Sequence, residues 1–97
     1  MADELKLRKH TERADHAKRV MEDEIVVEAL TLIRSNLHAI WESSRVEDKE
    51  PREEAYRMMK VLNEFERYFL KVMEDGKIAE KELSLLDKAK EKLKSYL

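Results

Sequence analysis

The chain has no cysteine, one glycine and one proline in 97 residues. Without cysteine there are no disulfides, no thiolate nucleophile and no thiolate-held metal, which suits a reducing compartment. So few turn-forming residues predict helices joined by few connections. A lone glycine leaves no phosphate-cradling loop. No apolar run approaches the roughly 20 residues that cross a bilayer, so no membrane contact is expected. The opening residues, MADELKLRKH, have no apolar stretch of the kind a secretory signal needs. Charge of one sign is missing too. Twenty Lys/Arg stand against 22 Asp/Glu, for a net charge of −2.

What is present is charge of both signs, interleaved over a helical apolar pattern. Residues 1–21 carry a net +2, residues 22–75 a net −6 and residues 76–97 a net +2. Weakly basic ends around an acidic middle favour self-association or a protein partner over a duplex, which needs a concentrated basic face. The basic run from Arg8 to Arg19 is broken by Glu12 and Asp15, and no aromatic residue is interleaved for base stacking. It reads as a solvated helix face, and no tight duplex binding is expected.

The length suits one domain with a modest core, taken as residues 1–97. Its clearest element is a helix over about 50–75. Ala55, Met58, Leu62, Phe65, Phe69 and Val72 recur at steps of three and four, which keeps them on one stripe. Pro51 fits the first turn, where its missing N–H has no helical partner. Gly76 fits a position just past the end, in a left-handed conformation. Before it, a helix over about 24–43 carries Val26, Leu30, Ile33, Leu37 and Ile40, closed by Trp41, with Val27, Ala29 and Leu32 widening the stripe. The short loop SSRVEDK makes these two helices antiparallel neighbours. Leu37 and Ile33 then face Leu62 and Phe65 as the core.

A first helix, about 3–22 with Asp3 as its N-cap, has the thin seam Leu7, His10, Ala14, Ala17 and Met21. A fourth, about 78–95, is marked by Ala79, Leu83, Leu86, Leu93 and Leu97. The expected fold is all-α: a small helical bundle of about four helices built on an antiparallel helix hairpin. The alternative is a hairpin completed by other subunits.

Chemistry-bearing patterns are scarce. None of His10, His16 and His38 has a Glu three residues earlier, as a di-iron bundle requires, and no His-Glu-x-x-His occurs. His38 and Glu42 form an ordinary pair one helical turn apart near a helix end. No serine sits in a nucleophile-elbow context. No catalytic residue, cofactor or metal site is therefore assigned, and no enzyme is expected. Protein-interface candidates are Trp41, which closes its helix, and Tyr56, Met59 and Tyr68, which lie off the main stripe of the third helix. Aromatic rings with one polar end favour half-buried or interface positions.

The order Trp41-Glu42-Ser43-Ser44, Asp48, Arg52-Glu53 and Gly76-Lys77-Ile78-Ala79 resembles a group of short all-helical proteins of tailed bacteriophages, encoded near virion and packaging genes. The resemblance covers roughly residues 14–83. Pro51 stands where the group often has glycine, which should stiffen the entry to the third helix. No activity comes with the resemblance. It implies a genomic setting more than a mechanism, and the leading expectation is a structural or assembly role in the virion or the host cytoplasm. The rival expectation is a regulator that binds a host protein or nucleic acid. A wide stripe on the second helix and surplus apolar residues on the third predict a homo-oligomer, most simply a dimer.

Overall fold

Two aspartates start the first two helices of the computed structural model, which describes residues 3–96. The first N–H groups of a helix lack helical partners, and a carboxylate one step outside can accept from them. Asp3 Oδ1 accepts from the Leu5 N–H at 3.1 Å, opening α1 (Glu4–Glu22). Asp23 Oδ1 accepts from Ile25 and Val26 at 3.0 and 3.2 Å, opening α2 (Glu24–Ser43). A single residue therefore separates the two helices. At the far end of α2, Ser44 turns extended, and its N–H and Oγ both donate to the Trp41 carbonyl. The following turn is held by Asp48, whose Oδ2 accepts from the Arg45 N–H at 2.9 Å.

The last helix, α3 (Lys49–Ser95), runs without a break for 47 residues. Pro51 lies in its first turn, as its chemistry requires. The expected stop at Gly76 is absent. No glycine in the chain has positive φ, and the helices expected over 50–75 and 78–95 are one. The described residues thus form three helices and no strand, where the sequence suggested four. An interior glycine costs a helix about 1 kcal/mol relative to alanine, which strong helix formers on both sides can carry. Its purpose is proximity. A Cβ at position 76 would overlap the Ala14 Cβ and lie 3.1 Å from the His10 carbonyl oxygen. Gly76 lets the α3 backbone lie against α1 at that point.

The chain divides into two compact units, one from the residues up to Arg19 with those from Phe69 onward, the other from Val20 to Tyr68. In the first, α1 packs on the last part of α3. Leu7, Ala17, Gly76 and Ala79 are buried, and His10, Ala14, Leu83 and Leu86 are half-buried. The thin seam read from the sequence is the one used. Its outer end is tied by Lys90 Nζ donating to Glu4 Oε1 at 2.9 Å. Leu93 is exposed, and Leu97 lies outside the described residues.

In the second unit, α2 runs antiparallel to the first part of α3. Arg34 donates to Asn63 Oδ1 at 3.3 Å and pairs with Glu66, while Arg52 lies on the Trp41 ring. The buried residues are Leu37, Ala55 and Leu62, with Val26, Leu30, Arg34, Met59 and Glu66 half-buried. This seam differs from the expected one. Ile33, Ile40, Met58 and Phe65, which the periodic pattern places in the core, are 43–50% exposed. Val26, Leu30, Leu37, Ala55 and Leu62 keep their expected places, and each stripe shifts by less than one residue, so that Arg34 and Glu66 rather than Ile33 and Phe65 meet at the seam. An arginine can bury its methylene stem while its guanidinium pairs with a carboxylate, so Arg34 can take a place in the row Val26, Leu30, Arg34, Leu37.

Candidate helix-packing interface

Three of the four residues expected to form an interface converge. Trp41, Tyr56 and Met59 line a cavity of about 310 Å3 with Leu37, His38 and Ala55. Trp41 is presented by the capped last turn of α2, and Tyr56 and Met59 by successive turns of α3. Two cations lie over the rings. The Arg52 guanidinium is 4.5 Å from the Trp41 ring centre, and Lys60 Nζ is 5.3 Å from that of Tyr56. Such cations are attracted by the negative face of the ring and hold it in orientation. The cavity can accept an apolar side chain, with His38 and Asn63 at hand for a polar group on it.

Tyr68 is not part of this cavity. It shares a different face of α3 with Met58, Val61 and Phe65, and all four are about half exposed or more. They follow one another at steps of three, four and three, parallel to the seam row Ala55, Met59, Leu62, Glu66. The matching face of α2 carries Ile25, Leu32, Ile33 and Ile40, again exposed. Sequence reasoning assigned Ile33, Ile40, Met58 and Phe65 to the core and left Val61 and Ile25 unread. The second three-four series beginning at Met58 was the signal that could have revealed them.

The histidines stay apart. His10 is half-buried in the α1 seam, whereas His16 and His38 are exposed. Among the described residues no group of three or more His, Asp or Glu is placed to hold a metal ion. No helix there is long and apolar enough to cross a membrane. The electrostatic perturbation at Glu4 is structural. The hydrogen bond from Lys90 holds the Glu4 carboxyl below its ordinary 4.5, the Lys90 charge adds to this, and Arg8 contributes least. Compared with known proteins, the chain matches no family model, no curated protein and no solved structure.

Proposed function

We propose that this chain is a non-enzymatic structural or assembly protein of a tailed bacteriophage, working through helix packing in the virion or the host cytoplasm. The observation that carries the packing role is the apolar surface of the unit from Val20 to Tyr68. Only Leu37, Ala55 and Leu62 are buried there, while Ile25, Val61 and Tyr68 are at least 60% exposed. A small helical unit that hides so little of its apolar surface gains stability by covering the rest with another helical surface. Its helix hairpin, α2 with the first part of α3, is then half of a bundle that other subunits complete. The phage setting rests on the sequence resemblance from Trp41 to Ala79.

The test is fractionation of infected cells expressing a tagged chain. Recovery with assembled or assembling particles is the expected result. Absence from particles at every stage would overturn the assembly role. The cavity at Trp41, Tyr56 and Met59 favours a second reading, a regulator that seats an apolar side chain of a host protein. In that case Tyr56→Ala would abolish host-protein binding.

A further inference from the structure

Resting on the helix-packing reading, we propose that the face formed by Ile25, Leu32, Ile33 and Ile40 of α2 with Met58, Val61, Phe65 and Tyr68 of α3 docks a second copy of this chain.

The face follows from helical geometry. At about 100° per residue, the α2 stripe lies roughly 110° from the seam row Leu30, Arg34, Leu37, and the α3 stripe lies the same angle, in the same sense, from Ala55, Met59, Leu62. Because the two helices are antiparallel, equal rotations about their own axes bring both stripes to one side of the pair. The Arg34–Asn63 hydrogen bond and the Tyr56 cavity occupy the other side.

Area identifies a docking surface. At the exposures seen, the eight side chains present roughly 900 Å2, beyond the 300–600 Å2 of the largest patch on an ordinary monomer. It is close to the roughly 800 Å2 that each partner contributes to a standard stable interface. A two-helix face of this kind is covered best by another two-helix face, which together make a four-helix bundle. An identical copy supplies such a face automatically, since a twofold interface uses the same patch on both chains.

Asn36 sits within the α2 stripe and is exposed in the single chain. At a bundle centre such a residue lowers stability while fixing register.

Sedimentation equilibrium of the full chain should give twice the 11.6 kDa chain mass at micromolar concentration, persisting in about 0.5 M salt because the force is hydrophobic. Val61→Glu should weaken the dimer at least tenfold with helicity retained by circular dichroism, while Tyr56→Glu on the opposite side should leave it intact. Because the chain lacks cysteine, introduced cysteines report the face even if Val61→Glu fails to fold. Mixing Ile33→Cys chains with Phe65→Cys chains should give disulfide-linked dimers, whereas Tyr56→Cys chains should give none. The reverse would overturn the face. A dimer untouched by Val61→Glu, or dissociated by Tyr56→Glu, would overturn the face. A monomer recovered with virus particles would overturn the second copy as occupant while leaving the assembly role standing.

Discussion

Replacing Gly76 with alanine is a sharp test of the packing between α1 and the last part of α3, because two effects of opposite sign compete. In an exposed helix interior the substitution would stabilise by about 1 kcal/mol, through the better helix propensity of alanine. At position 76 the new Cβ overlaps the Ala14 Cβ and comes to 3.1 Å from the His10 carbonyl oxygen. Neither obstacle is the far end of a flexible side chain. Both belong to the α1 backbone or are fixed directly to it, so relief requires α1 to shift. Overpacking of this kind costs about 1–3 kcal/mol. Gly76→Ala should therefore destabilise by up to about 2 kcal/mol once the propensity gain is subtracted. At about 4–8 °C per kcal/mol for a domain of this size, the thermal midpoint should fall by several degrees. Circular dichroism would give the midpoint, and amide hydrogen exchange should show the loss of protection concentrated in α1. Adding Ala14→Gly should return part of the lost stability, since it removes the obstructing methyl. A higher midpoint for Gly76→Ala alone would refute the close approach and restore the glycine to a propensity effect.

The other expectations are direct. Leu62→Asp should abolish cooperative melting by circular dichroism, because an unpaired carboxylate would replace a buried leucine of the α2–α3 seam; a melt matching the parent would remove that seam. For Arg34 and Glu66, a double-mutant cycle with alanine should give a coupling of about 0.5–1.5 kcal/mol, above a fully exposed pair because both side chains are about two-thirds covered. The depressed pKa of Glu4 contributes stability that is fully present above its ordinary 4.5 and is lost as pH falls through the depressed value. Lys90→Met should accordingly raise the Glu4 titration midpoint toward 4.5, read by NMR, and make the acid limb of the stability curve shallower. Mixed-sequence duplex DNA should not bind with submicromolar affinity at about 0.15 M salt, since acids interleave with the basic residues of α1.

Helix content and most helix boundaries were legible because they depend on local chemistry. Asp3 and Asp23 cap through their own neighbours' N–H groups, and α2 ends at Ser43, where its periodic pattern ends. The missed stop at Gly76 has a different origin. A glycine at a helix end and a glycine at a helix crossing look alike in sequence, and only Ala14, far away along the chain, tells them apart. The interface candidates were legible in kind but not in grouping. Trp41, Tyr56 and Met59 share a cavity because α2 and α3 are antiparallel, whereas Tyr68 turns away from it with Phe65.

The rotation of the α2–α3 seam explains both what was misread and what the surface offers. Hydropathy alone places Ile33 and Phe65 at the centre of the pair. The structure gives that place to Arg34 and Glu66, which pair with each other and are half-buried in the row that holds Leu30, Leu37 and Leu62. An ion pair at the seam leaves surplus apolar residues that a single chain does not bury. They are not scattered, because the same three-four periodicity that built the first stripe also builds the second, about a third of a turn away. A helix with two apolar stripes suits a bundle in which it touches two neighbours, and within its unit α2 packs on the first part of α3. The proposed dimer supplies the second neighbour. It rests on residues as ordinary as Ile33, Val61 and Phe65, and needs no pocket, metal or catalytic group.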